Sequence, residues 1–207
     1  PSLADTGTHI ITYTYSLGPG CSGSETQTIT VNPLPLVTFS SLSDICINAA
    51  SITLTEGSPS GGVYSGPGVT GNTFNPSAAG EGIHTLTYTY IDGNGCENSV
   101  TQTITVNPSP SPSINGPAEI CSPGSGVYNT SETPGHSYSW TYTEGTASGG
   151  TTSHILSIDF TTSGTDNIQV TETNDVTGCS ASDNLNITIY EQPAIGEISS
   201  DNKLNRN

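Results

Sequence analysis

The chain has 207 residues, with 18 acidic against two basic side chains and a net charge of −16 at pH 7. Its only cations, Lys203 and Arg206, lie in the last five positions, so nothing in 1–202 neutralises phosphate and nucleic acid is excluded as a partner. Only 31% of the residues are hydrophobic, against 24 Gly and 14 Pro, so any core must be small and built from few, well-placed side chains.

Residues 1–33 alternate. Ile11, Tyr13 and Tyr15 share one face of a predicted strand, and Ile29 and Val31 share one face of the next. GPG at 18–20 is the turn between them. The second strand ends in TQTITVNP (26–33), and the same octapeptide returns at 101–108. Aligned without gaps, 1–33 and 76–108 agree at 21 of 33 positions, so the chain is a tandem array with a period of 75 residues. Residues 1–33 are therefore expected to be the back half of a repeat.

Residues 34–108 make one complete repeat. The stretch 58–82 is crowded with Gly, Pro, Ser and Asn and predicts short middle strands between turns. HTLTYTY follows, with His84, Leu86, Tyr88 and Tyr90 on one face and threonines on the other. GNG (93–95) is the hairpin turn, and Ile104 and Val106 point inward on the closing strand. Threonine suits the outward positions because its branched Cβ favours extended backbone while adding little apolar surface.

Residues 109–192 form a second, divergent repeat. Its inward sets are Tyr138/Trp140/Tyr142, Leu156/Ile158/Phe160, Ile168/Val170 and Leu185/Ile187/Ile189. Residues 193–207 read as the first strand of a further repeat. The joints, VNPLPLVTF, VNPSPSPSINGP and IYEQPAIG, are short and proline-rich, which favours extended, stiff backbone. No segment has helical periodicity. The fold class expected is all-β: antiparallel sandwiches in tandem, arranged end to end.

Each complete repeat holds one early and one late cysteine. The pairings expected are Cys46–Cys96 and Cys121–Cys179, each closing a loop of about 50–60 residues and contributing ~4 kcal/mol in the chain-entropy model. Cys21 occupies the position of Cys96, so its partner is expected upstream of Pro1. Disulfides imply an oxidising compartment. The spacing of the five cysteines and four histidines fits no zinc site.

Catalytic chemistry has little to stand on. There is no G-x-S-x-G elbow. His9 and His84 are one repeat position, at the start of a strand, and are read as structural; His136 and His154 have no nearby Cys or paired acid at metal-ligand spacing. Asp159 and Glu172 would serve glycoside hydrolysis only by facing each other across a cleft. The chain is expected not to be an enzyme. Calcium is the one cofactor for which a candidate exists: Asp92, Asn94 and Glu97 offer oxygen ligands on the second hairpin turn. The matching turn of the first fragment, Leu17 to Ser22, has no acid, which argues for turn geometry instead.

Residues 61–96, GGVYSGPGVTGNTFNPSAAGEGIHTLTYTYIDGNGC, resemble the immunoglobulin-like repeats of very large surface proteins of Bacteroidetes-type bacteria. The divergent repeat, with HSYSWTY and IQVTETNDVTGC, is similar to the PKD-like repeats of the same proteins. The resemblance implies an extracellular, cell-surface protein, exported by the type IX system and akin to the giant adhesins of gliding cells. It makes this chain a stalk segment that holds a binding tip away from the cell, with neighbouring repeats as its partners and no membrane insertion. Three alternatives stand beside it. One is a polysaccharide-binding module using exposed aromatics such as Tyr64 or Tyr190. The others are accessory repeats of a secreted enzyme and a subunit of an extracellular filament.

Overall fold

The two copies of the repeated octapeptide close hairpins that share one register up to the turn. The computed structural model describes residues 4–193. Strand β1 (Gly7–Gly18) pairs antiparallel with β2 (Cys21–Val31), placing His9 opposite Ile29. Seventy-five residues later His84 stands opposite Ile104 in the same way. Each histidine donates from Nε2 to the carbonyl four residues before it, His9 to Asp5 at 2.6 Å and His84 to Gly80 at 2.8 Å. The repeated histidine thus ties down the chain that leads into its strand.

Residues 34–107 build a sandwich around the second hairpin. In chain order its elements are β3 (Thr38–Phe39), β4 (Ile45–Cys46), β5 (Ile52–Thr53), β6 (Gly57–Ser58), β7 (Val63–Ser65), β8 (Val69–Thr70), β9 (Thr73–Phe74), α1 (Pro76–Ala79), β10 (Gly82–Ile91) and β11 (Glu97–Asn107). One sheet has the order β4-β11-β10-β7; the other face is supplied by β3-β6 and β5-β9-β8. The middle strands are short because Gly and Pro interrupt them every few residues. The single helical turn starts where Asn75 caps it, accepting from the Ala78 amide, with Pro76 in the first position.

Leu86, Tyr88, Ile104 and Val106 point inward and cluster with Tyr64 of their own sheet and with Phe39, Leu54 and Phe74 from the facing side. Tyr88 sets the close packing here. A Cβ on Gly57 would lie 2.6 Å from its ring, and one on Gly62 2.5 Å. Only glycine lets the backbone approach the tyrosine that closely. The Tyr88 hydroxyl completes the fit by accepting from the Gly62 amide at 2.8 Å and donating to the Pro59 carbonyl.

The second sandwich repeats the plan with longer strands: β12 (Glu119–Ser122), β13 (Gly124–Asn129), β14 (His136–Thr141), β15 (Thr146–Ala147), β16 (Ile155–Phe160), β17 (Gly164–Asn174) and β18 (Ser180–Glu191). Its sheets are β12-β18-β17-β14 and β13-β16-β15. All the inward residues expected from alternation are buried except Tyr142 and Leu185, which pack against the edge of the core. Trp140 is buried and donates from Nε1 to the Ser153 carbonyl at 2.7 Å. The compact units divide between Asn107 and Pro108. The strand expected in 193–207 lies, but for Pro193, outside the described residues.

The hairpin β1-β2 has no facing sheet among the described residues. Ile11 is 56% and Tyr13 68% exposed, whereas their copies Leu86 and Tyr88 are 0% and 2% exposed. The same sequence is a core face in one copy and a bare face in the other, which shows that the front half of the repeat supplies the cover.

Candidate functional site

The chemistry-bearing residues collect at the two ends of each unit. In the first, Pro35 accepts from the Asn98 side chain at 2.9 Å, Phe39 from Gln102 at 2.8 Å, and Cys46 pairs with Asn107. The segment from 35 to 46 therefore runs parallel to β11 along its whole length. In the second unit the Ile114 amide donates to Asp183 at 2.8 Å, Ala118 accepts from Thr188, and Cys121 pairs with Tyr190. Here 114–121 runs parallel to β18. Each unit thus has an upstream pole, where its first segment begins and its last hairpin turns, and a downstream pole, where its last strand ends.

This geometry corrects the cysteine pairing. Cys96 stands just before β11 at the upstream pole, and Cys46 stands beside Asn107 at the downstream pole. Eleven extended residues separate the two ends, about 35 Å at ~3.3 Å each. A disulfide needs Cα atoms within about 7 Å. Cys179, before β18, and Cys121, beside Tyr190, are held apart in the same way. Neither Cys46–Cys96 nor Cys121–Cys179 forms: Cys96, Cys121 and Cys21 carry free thiols, while Cys46 and Cys179 are disulfide-bonded. Alternation reports which face a residue occupies, but not how far along the strand its partner lies.

The upstream hairpin turn is held by Asp92. Its Oδ1 accepts from the Asn94 and Cys96 amides, each at 2.9 Å, and Oδ2 accepts from the Asn94 side chain. The Cys96 amide, followed by the Asn94 and Gly95 donors, holds the Asp92 carboxyl below the usual carboxylate range. Of the calcium candidates Asp92, Asn94 and Glu97, the first two are thus bonded to each other and to the turn. The matching turn in β1-β2 has Leu17 in place of Asp92, and its ladder slips between Ser16 and Gly18.

Asp159 and Glu172 do not face each other. Asp159 lies on β16 and accepts from Ser125 Oγ at 2.6 Å. Glu172 lies on β17, in the opposite sheet, and is buried; it accepts from His136 Nδ1 at 2.7 Å and from the Tyr138 hydroxyl at 3.4 Å. A second buried acid, Asp166, accepts from the Thr143, Glu144 and Asn167 amides and from the Thr143 hydroxyl. Both carboxylates serve the strand that carries them and its neighbours. Sequence reasoning missed Asp166, because an acid at an inward position of a strand looks like an outward one unless its donors are known.

Tyr64 is not an exposed aromatic. It is buried beside Phe39 and Tyr88, with ring centroids 5.5 and 4.7 Å away, and its hydroxyl accepts from the Gly57 amide at 2.7 Å. Burial pushes that hydroxyl's pKa up. It lines a cavity of about 300 Å³ with Leu54, Gly62 and Tyr88. Tyr190 is half exposed, and its hydroxyl donates to Glu119 at 3.3 Å. A polar cleft of about 580 Å³, lined by Ser122, Thr161, Thr162, Ser163 and Glu191, opens at the same downstream pole.

No protein-family model and no curated protein matches the chain. Among solved structures it is similar to murine CEACAM1b (16% identity, 71% of this chain and 95% of that one, TM-score 0.31). It is also similar to Drosophila N-cadherin EC1-3 (14% identity, 83% and 74%, TM-score 0.32). A third is an endo-fucoidan hydrolase of glycoside hydrolase family 107 (13% identity, 92% of this chain, TM-score 0.31), of which the chain spans 35%.

Proposed function

We propose that this chain is a stalk segment of a long extracellular adhesin, in which repeated sandwiches hold a binding tip away from the cell surface. The observation that carries this reading is the run of the closing strand. In each unit it runs the full distance from the upstream to the downstream pole, and proline-rich sequence follows it. Disulfide-bonded Cys46 and Cys179 support an oxidising, extracellular setting. Among the described residues no helix is long and apolar enough to cross a membrane. The acidic surface, without a lysine or arginine before Lys203, also denies trypsin-like proteases a cleavage site over 202 residues.

A second reading, a polysaccharide-binding module, rests on Tyr190 beside the polar cleft. Solid-phase binding of the oxidised 207-residue chain to a polysaccharide panel, with and without calcium, separates the two. The stalk reading expects no saturable binding. Saturable binding abolished by Tyr190→Ala would overturn it in favour of the second.

A further inference from the structure

We propose that the bare apolar face of the hairpin β1-β2 is an acceptor surface, and that its occupant is a repeat front half: a segment of the chemistry of residues 34–81, seated without a covalent link. The inference goes beyond the stalk reading, because it holds whatever the array carries.

The molecule itself holds the template for this contact. On the inward face of β10-β11, Tyr88, Tyr90, Gln102, Ile104 and Val106 are copies of Tyr13, Tyr15, Gln27, Ile29 and Val31, and Leu86 stands where β1 has Ile11. The register is shared over these positions, so the side chains stand in the same mutual order. In the complete repeat the face is covered by Phe39, Leu54 and Phe74, and the Gln102 side chain donates to the Phe39 carbonyl at 2.8 Å. Gly57 and Gly62 leave the room that the Tyr88 ring needs, and its hydroxyl bonds to Gly62 and Pro59. The features this cover grips, a tyrosine ring with its hydroxyl, a glutamine amide and a strip of branched side chains, are all present on β1-β2. There Ile11, Tyr13, Tyr15 and Ile29 are exposed, and a contiguous apolar face of that kind marks an interaction surface.

The fit has a centre and a rim. Opposite Tyr88 stands Val100, and opposite Tyr90 stands Asn98, which donates to the Pro35 carbonyl; β2 has Glu25 and Gly23 in their places. The first residues of an occupant therefore lose an anchor, and the contact centres on Tyr13, Gln27 and Ile29. Charge does not draw the two sides together. Residues 34–81 carry Asp44, Glu56 and Glu81, residues 1–33 carry Asp5 and Glu25, and neither has a lysine or arginine. The attraction is apolar, so added salt should tighten it by screening the repulsion.

The test adds a synthetic peptide, residues 34–81 with Cys46→Ser to keep it out of disulfide exchange, to the oxidised 207-residue chain. Isothermal titration calorimetry reads the affinity, and deuterium exchange reads where the peptide sits. Exchange in residues 7–31 is expected to slow at least ~10-fold at saturation, with 82–106 unchanged. Tyr13→Ala in the chain and Gly62→Ala in the peptide should each weaken binding at least ~10-fold, the first by removing buried surface and the second by overpacking. Tyr13 is exposed, so its loss leaves the folded sandwiches intact. No protection of 7–31, or protection that Tyr13→Ala leaves unchanged, would overturn the proposal. So would faster exchange at 82–106, which marks the peptide displacing the chain's own front half. Protection of 7–31 that rises with chain concentration in the absence of peptide would overturn it too, by making a second copy the occupant.

Discussion

Cys46 and Cys96 stand at opposite ends of one strand, β11. A bond between them would stabilise the repeat by about 4 kcal/mol in the chain-entropy model. The geometry forbids that bond, so Cys96→Ser and Cys121→Ser should each leave the melting temperature of the oxidised chain within about 1 °C of the parent. Differential scanning calorimetry checks this. A loss of several degrees in either variant would restore the early-to-late pairing within a unit.

Tyr88 and Tyr128 are both buried, but they differ in what their hydroxyls meet. Tyr88 bonds to Gly62 and Pro59, while Tyr128 finds no hydrogen-bond partner, and burial followed by the charge of Asp166 pushes its pKa up. Tyr88→Phe should therefore cost about 1–2 kcal/mol and Tyr128→Phe should be neutral or stabilise by ~1 kcal/mol. Urea denaturation followed by near-ultraviolet circular dichroism distinguishes them. Equal losses in both variants would contradict the assignment.

Gly62→Ala forces a Cβ to within 2.5 Å of Tyr88 and the Thr89 carbonyl. Overpacking of this kind costs about 1–3 kcal/mol. The loss should be confined to the first sandwich. Trp140, the chain's one tryptophan, reports the second alone, so its fluorescence midpoint in urea should not move while the tyrosine signal does.

Asp92 should make the first sandwich acid-sensitive. Its folded carboxyl is held below the usual value by the turn amides, so the stabilisation is complete above the unfolded value of about 3.9. It is lost as pH falls through the lower, folded value. Asp92→Asn should therefore flatten the fall in stability below about pH 4. A carbon-detected NMR titration should place the Asp92 midpoint under the ordinary one; a midpoint at or above it would refute the turn assignment.

The hairpin β1-β2 offers its apolar face to solvent, and a lone two-stranded hairpin is marginal in water. Its amides should exchange with deuterium at least ~100-fold faster than those of β10 and β11, although the two sequences are close copies. Mass spectrometry of peptides 7–31 and 82–106 makes the comparison.

The faces of the strands were legible because Thr alternates with Leu, Tyr, Ile and Val, and a two-residue period has only two solutions. Leu86, Tyr88, Ile104, Trp140, Ile158 and Val170 lie inward as that pattern requires. Position along the strand was not legible. The parallel pairing of β4 is two residues long, and nothing in Ile45-Cys46 announces that it lies beside Asn107 rather than near Cys96. Tyr64 looked exposed because it sits among glycines. Gly57 and Gly62 are what let Tyr88 pack beneath the backbone, with the Tyr64 ring beside it. Glu172 and Asp166 were hidden for a related reason: their donors come from segments distant in sequence, which alternation does not see.

The parallel neighbours β4-β11 and β12-β18 have a mechanical meaning. Each unit's first segment runs from the upstream to the downstream pole, and so does its last strand. Tension that draws the start of a unit upstream and its end downstream would slide these two strands past each other. Their hydrogen bonds would then bear load in shear, together, whereas an antiparallel pair opened from one end would unzip a bond at a time. The second unit pairs four residues across this seam, Glu119–Ser122 with Thr188–Glu191, against two in the first. On this seam alone, the divergent repeat is the stronger link.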